Sequence, residues 1–430
     1  MAHAHPTRRG FLRLLAAASL PPAALARLER IDRSLARGLH PTLAGAPDQV
    51  VPALRAQYML SEEILYLNHA SIGTVPRTVH EAHAGYLELC ESHPSLYVWG
   101  SVWREATEET RALAAGLLRC TPDDLAVTHN TTEGFNVLAH GLPLREGDEV
   151  LFSSLNHPGA SVPWQGLAAR RGFEVRRFDF PLERAPRMGE DEVIALHVEA
   201  LGPRTRVLVL PHVDNMVGLR HPIRSLAAAV KERGVAFVLV DGAQAAGMIP
   251  VDLGRSGVDA YAMSPHKWLQ SPKGLGLFYV APELRAQLPP MWFRTPGIPG
   301  RGSARRYEDY STRAWPAVVA LGDALGFQLA LGEDEKVRRY RSLRNRIRDR
   351  VDAEPGLRWR SPREWDLGSM IVAVSVAGRE APTLVRPLLE EHGLVLRGFA
   401  PPFDAVRLSP NVATADGEVD RALDALVAAR

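Results

Sequence analysis

Two four-residue runs, VLVL (207–210) and FVLV (237–240), are apolar at every position. A strand with one wet face alternates apolar and polar side chains, so an unbroken run belongs to a strand covered on both faces. Between the runs lies SLAAAVKERG (225–234), which reads as a helix stopped by Gly234. Strand, helix and strand at this spacing form a βαβ unit, whose two strands lie parallel in one sheet. The pattern recurs along the chain. Strands are expected at 124–130, 148–154, 174–180, 205–213, 235–241, 259–264 and 275–280. Helices are expected from 131, over 162–172 and near 190–201. The fold class is therefore α/β, with a large domain built on a mostly parallel sheet of the seven-stranded type flanked by helices. A long helix is expected across 316–352, where the charge run EDEKVRRYRSLRNRIRDR reads mostly as a solvated face. MIVAVSV (370–376) and AVRLSP (405–410) indicate a small C-terminal α+β domain. The Gly-, Pro- and Arg-rich stretch 285–312 reads as an ordered loop, because it carries Trp292, Phe293 and Tyr307. The divisions expected are an N-terminal segment at 27–65, the large domain at 66–315 and the small domain at 316–430.

Length and charge narrow the function. A chain of 430 residues is too long for one simple core. A net charge of +2 gives no footprint for nucleic acid. The two cysteines, Cys90 and Cys120, have no metal-binding spacing and read as small buried apolar residues; no metal is called for. The first 26 residues read as a leader: Arg8-Arg9, then Phe11-Leu12, the apolar run LLAAASLPPAALA, and the small-x-small end Ala24-Leu25-Ala26. This order is similar to a twin-arginine export signal. It implies the twin-arginine machinery as a partner and a periplasmic or extracellular location. The plain alternative is a basic tail beside a chance apolar stretch. No other stretch is apolar and long enough to span a bilayer, so no membrane contact is expected of the mature form.

Ligands of open α/β sheets bind beyond the carboxyl ends of the strands, and the informative stretches sit there. NTTEG (130–134) offers two hydroxyls, Thr131 and Thr132, and the free N–H groups of a helix start, an anion site or merely an N-cap. Asp241 ends the FVLV strand, where a carboxylate is costly unless a cation or hydrogen bond meets it; the plain alternative is again an N-cap. His157 lies beyond another strand end and offers a flat face to an aromatic cofactor.

The cations are informative too. Lys and Arg total 51, yet only Lys231, Lys267, Lys273 and Lys336 are lysines. Lys can lose its proton and form an imine; Arg cannot. Lys267, just past the strand DAYAMS, is therefore a nucleophile candidate. Lys273, at a turn, reads as a surface or phosphate-proximal residue with a structural role. Ser264 and His266 flank Lys267 and point to the same anion as Thr131 and Thr132. An anion site, a carboxylate and an imine-forming lysine at one sheet edge ask for pyridoxal 5′-phosphate.

The order NTTEG, NHPGASVPWQ, PHVDNMVG, VDGAQAAG, SPHKW and VRLSP resembles the class V aminotransferases of pyridoxal-phosphate (PLP) fold type I, particularly the isopenicillin N epimerase-like group. The resemblance runs from about residue 66 to about 426. It implies that Lys267 holds PLP as an aldimine and later moves the Cα proton of an amino-acid substrate. It implies that Asp241 meets the pyridine nitrogen, Gln244 the ring oxygen, and that His157 stacks on the ring. Thr131, Thr132, Ser264 and His266 would take the phosphate, and Asn215 would lie near the ring oxygen or substrate. Arg407 would clamp the substrate carboxylate, with Asn68 and His69 lining the pocket. Thr312, in STR (311–313), would reach the phosphate of a neighbouring subunit, implying a homodimer; Ser311 stands where the family has Gly. The outcomes implied are epimerisation or amino transfer at Cα. A C–S or β-elimination lyase is the alternative, and a non-catalytic exported binding protein the second. Persulfide chemistry is disfavoured, because LRGFAPPFDAVR (396–407) holds no cysteine.

Overall fold

The computed structural model describes residues 52–95, 101–292, 302–308 and 312–430. The expected leader, the start of the N-terminal segment, Phe293 and Ser311 lie outside these residues.

Seven strands form the large sheet: β2 (Leu125–Thr128), β3 (Glu149–Ser153), β4 (Glu174–Phe178), β5 (Thr205–Pro211), β6 (Phe237–Asp241), β7 (Ala260–Met263) and β8 (Gly276–Val280). Their order is β2-β8-β7-β6-β5-β3-β4. Only β8 runs against its neighbours, so β2 and β7 still point the same way. The apolar runs behave as their composition requires. Leu208 and Leu210 pack into the core on one face of the sheet and Val207 and Val209 into the core on the other. Val238 and Val240 divide from Phe237 and Leu239 in the same way. Helices α3 (Thr131–Gly141), α4 (Pro158–Arg171), α5 (Glu190–Glu199) and α6 (Ile223–Lys231) make the crossovers. Before them come α1 (Arg77–Ser92) and α2 (Ser101–Leu118), and β1 (Leu65–Tyr66) comes before those helices.

The expected single helix at 316–352 is two: α7 (Trp315–Leu331) and α8 (Glu333–Ala353), bent by 75°. Gly332 lies between them at φ +79°, a left-handed conformation that stops an α-helix. The α7 helix is apolar nearly all round and buried against α1 and α2. The charge run on α8 is only partly a solvated face. Lys336, Tyr340, Leu343, Arg344, Ile347 and Val351 recur every three or four residues and are buried. Among the described residues no single helix is long and apolar enough to cross a membrane. Cys90 is buried and Cys120 is half-buried.

The small C-terminal domain has a four-stranded antiparallel sheet, order β12-β13-β10-β9. Its strands are β9 (Leu357–Trp359), β10 (Val372–Val376), β12 (Arg397–Phe399) and β13 (Ala405–Leu408). A separate short strand, β11 (Leu394–Val395), pairs in parallel with β1. This pairing ties the N-terminal segment to the small domain, and Asn68 continues it by bridging to Ser409.

One buried ion pair fastens α2 to the sheet beside the site. Arg111 Nη2 lies 2.5 Å from Glu308 Oε1. Arg111 Nη1 donates to the Leu125 carbonyl, and Glu308 also accepts the Val127 N–H. Glu308→Ala leaves a buried guanidinium with only the half-exposed Glu108, and a strand N–H with no acceptor. Stability should fall by about 3 kcal/mol, read as a lower urea midpoint; a loss under ~1 kcal/mol would contradict this role.

Candidate active site

Five strands deliver side chains from their carboxyl ends to one edge. Asp241 closes β6 and is buried. Its Oδ1 accepts the Ala243 N–H at 2.9 Å. Burial raises its pKa, against the pull of that N–H, Lys267 and His157. Behind it the buried His212, just past β5, bonds Tyr261 Oη at 2.9 Å.

Lys267 follows β7 in a turn closed by its own N–H on the Ser264 carbonyl. Burial lowers its ammonium pKa to about 8; Asp241 pulls it up, while Arg407 and Arg397 press it down. An amine at that value is part neutral near pH 8, as a nucleophile and base must be. Gly73 donates its N–H to the His266 carbonyl, and a Cβ there would stand 1.9 Å from the Lys267 carbonyl oxygen. No larger residue lets the N-terminal segment lie so close over the lysine turn.

The anion cradle forms between the start of α3 and this turn. Asn130 caps α3 through the Glu133 N–H. Ser264 Oγ bonds both the Thr131 N–H and, at 2.8 Å, Thr131 Oγ1. Thr132 lies beside the start of α4: a Cβ on Gly159 would meet Thr132 Oγ1 at 2.7 Å and His157 Nδ1 at 3.3 Å. His157 caps α4 by accepting the Gly159 N–H on Nδ1, which leaves Nε2 to carry the proton of the neutral ring. Desolvation lowers its pKa, Asp241 opposes, and Lys267, Arg397 and Arg407 add to the lowering. Burial lowers the pKa of His266 to about 4, helped by Lys267 and Lys273; its buried Nδ1 has no partner among the described residues. Lys273 itself is exposed.

Arg407, on β13, closes the other side. It is 1% exposed and meets no carboxylate among the described residues. Nη1 donates to the Asn215 carbonyl at 2.9 Å, and Nη2 to Asn68 Oδ1 at 2.7 Å and Ser71 Oγ at 2.6 Å. Its Nε is buried and has no partner among the described residues. Burial and Arg397 lower its pKa to about 9. Asp214 opposes this lowering from a distance, but a buried guanidinium whose hydrogen bonds all go to neutral groups suits an anion.

The sequence-derived residues are brought together with two differences in detail. Gln244 spends Nε2 on the Ala70 carbonyl and Oε1 on Trp268 Nε1, so it braces the lysine turn. Thr312 is exposed and bonds none of the others. His69 is buried, with Nε2 on Thr74 Oγ1. Sequence reasoning missed Ser71, Trp268, Tyr261 and Arg397. His212, in PHVDN, stood at a strand end and was findable by the rule that found Asp241. Arg397 opposes Arg407 across β12 and β13, a register no local pattern announces.

The donor set fits pyridoxal 5′-phosphate. The cradle of hydroxyls, helix N–H groups and an unpartnered His266 nitrogen suits a phosphate. The lysine suits the aldehyde and the buried Asp241 the pyridine nitrogen.

Comparison with known proteins agrees. The Aminotransferase class-V family model matches residues 65–398. Isopenicillin N epimerase of Streptomyces clavuligerus is 31% identical over 394 residues, covering 86% of this chain and 96% of that one. A probable cysteine desulfurase of Pseudomonas aeruginosa is 31% identical over 350 residues, covering 78% and 84%. Among solved structures, a lysine-to-alanine variant of C-DES, with glycine covalently linked to its PLP cofactor, superposes with TM-score 0.78 at 25% identity. It covers 87% of this chain and 98% of its own.

The lowered lysine pKa has a consequence for the cofactor-free protein. The unfolded amine titrates near 10.5 and the folded one near 8. Between these values the unfolded chain holds more protons at this site, so stability should rise with pH. Denaturation midpoints from pH 7.5 to 10.5 should climb more steeply in the native sequence than in Lys267→Met. Equal slopes would mean that the amine titrates normally.

Proposed function

The chain belongs to the class V aminotransferases, enzymes that use pyridoxal 5′-phosphate, and from that premise we propose that it acts at the α-carbon of an amino acid bearing a free carboxylate, by epimerisation or amino transfer. The observation that carries this reading is the pairing of Lys267, an amine with a depressed pKa, with Arg407, a buried guanidinium that bonds no carboxylate among the described residues.

When bound, the cofactor supplies an aldehyde and an electron-withdrawing ring. The chain's own residues do the rest. Arg407 takes the substrate carboxylate through its guanidinium, already aligned by Asn215, Asn68 and Ser71. This fixes Cα and leaves its hydrogen to Lys267 Nζ, the base, whose pKa near 8 suits proton transfer near neutral pH. Asp241 is sheltered from water and would hold positive charge at the ring nitrogen. His157 would offer its ring to the cofactor ring. Thr131, Thr132, Ser264 and His266 would hold the phosphate. Lys267 would hold the proton taken from Cα; epimerisation needs a proton delivered to the opposite face of Cα, and amino transfer needs Lys267 to release its proton away from Cα.

A persulfide route is not favoured. β12 and β13 are joined by Ala400–Asp404, which contains no cysteine, and Cys90 is buried in α1. A β-elimination needs no thiol and is the second reading. We also infer twin-arginine export, from Arg8-Arg9 and the apolar run behind them, and a homodimer completed by Thr312 of a neighbouring copy. Amino-terminal sequencing of exported protein and sedimentation test these two inferences: a start at residue 27 and a two-chain mass are expected, an intact leader and a monomer are not.

Incubation with an amino-acid panel in deuterated water separates the reactions. Deuterium at Cα without keto acid is expected for epimerisation. Keto acid with pyridoxamine phosphate is expected for amino transfer, and pyruvate with a released thiol would select the lyase reading. No Cα exchange with any amino acid would remove the proposal. Lys267→Arg should abolish exchange. Arg407→Ala should raise KM for carboxylate substrates roughly a hundredfold, about 3 kcal/mol, and leave cofactor absorbance in place; an unchanged KM would refute the clamp.

A further inference from the structure

Of the four lysines, Lys267 is taken by the site, Lys273 is exposed, and Lys231 pairs with Asp259 at 2.9 Å. Lys336 has no such explanation. It lies in the first turns of α8, 5% exposed, beside a cavity of about 180 Å³ between the end of α2, the 247–249 loop and the bend from α7 to α8. None of the lining residues belongs to the site described above.

The chemistry of the cavity is specific. An ammonium carries three donors. Among the described residues Lys336 Nζ meets one acceptor, Gln328 Oε1 at 2.9 Å. Gln328 is held in turn by Gln270 at 3.3 Å, and Gln270 by Asn411 and Tyr58. This chain pins the amine and supplies no negative charge. Glu333 reaches Arg119 instead, at 2.5 Å, where both are over a third exposed. Leu117, Met248, Ile249 and Val337 line much of the remainder. A buried cation with a neutral partner is costly, and burial accordingly lowers the pKa of Lys336 to about 8 while Glu333 opposes.

We propose that this cavity binds a small monocarboxylate with a short apolar tail, its carboxylate on Lys336 and its tail against Met248 and Ile249. Arg119 and Glu333 also line the cavity but are matched to each other, so the one ammonium of Lys336 matches one negative charge; a phosphate dianion would leave its second charge without a partner. The volume sets the size, since a cavity of about 150 Å³ accepts a molecule as large as benzene. The pinned amine binds without first being ordered, which lowers the entropic cost.

Four lysines make the test direct. In holoenzyme labelled with [13Cε]lysine, Lys336→Met assigns one of four resonances. Titration with sodium 3-methylbutanoate should shift that resonance with a saturable midpoint on the order of 1 mM. The neutral 3-methylbutanamide and sodium chloride should not shift it. Met248→Trp fills the cavity without touching the amine, so it should keep the resonance and abolish the response. A resonance that stays still, that responds equally to amide or chloride, or that still responds in Met248→Trp would overturn the proposal.

Discussion

The structure depends on one electrostatic arrangement: a half-buried amine set between a buried carboxylate and a buried guanidinium. Lys267 alone at this depth would be driven neutral, Asp241 alone would be protonated, and Arg407 alone would go unpaired. Each moderates the others. Asp241 keeps some positive charge on Lys267, and Arg407 takes some away. The result is an amine whose two protonation states are close in free energy, as a group that both attacks and shuttles protons requires.

That balance explains the architecture around it. Parallel strands bring Asp241 and the lysine turn to one edge, but they do not place the guanidinium. Arg407 arrives from the small domain, and the stretch just after β1 reaches across to hold it. Asn68 lies 339 residues from Arg407 in sequence and 2.7 Å from it in space. The β1–β11 pairing and the close pass of Gly73 over the lysine turn lock that segment down. The substrate clamp is thus a junction of three parts of the chain, and movement of the small domain would alter the clamp before it altered the sheet.

Legibility in the sequence followed the range of the interactions. The inner strands are readable because burial on both faces writes itself into consecutive residues such as VLVL, whereas the edge strand β4, EVRRF, is largely exposed and is readable only from its place in the alternation. The strand-end residues were readable because a charged or hydroxyl side chain after such a run needs a partner. The break at Gly332 was hidden: the charge run behind it looked like solvated helix, and its buried stripe emerges only when Lys336, Tyr340 and Leu343 are known to face inward. Ser71 and Arg397 were hidden for a different reason, since their places depend on contacts and registers between distant segments. Gln244 was read as a ring contact, while its amide also braces Trp268, an interaction with no local signature. The scarcity of lysine, by contrast, was a compositional fact with structural value, because it singled out the positions where arginine would not serve.

The most direct measurement of the central claim is chemical. Borohydride reduction of holoprotein, followed by proteolysis and peptide mass mapping, should place one pyridoxyl group on the peptide containing Lys267. A pyridoxyl group on Lys273, on another lysine or on none would contradict the account.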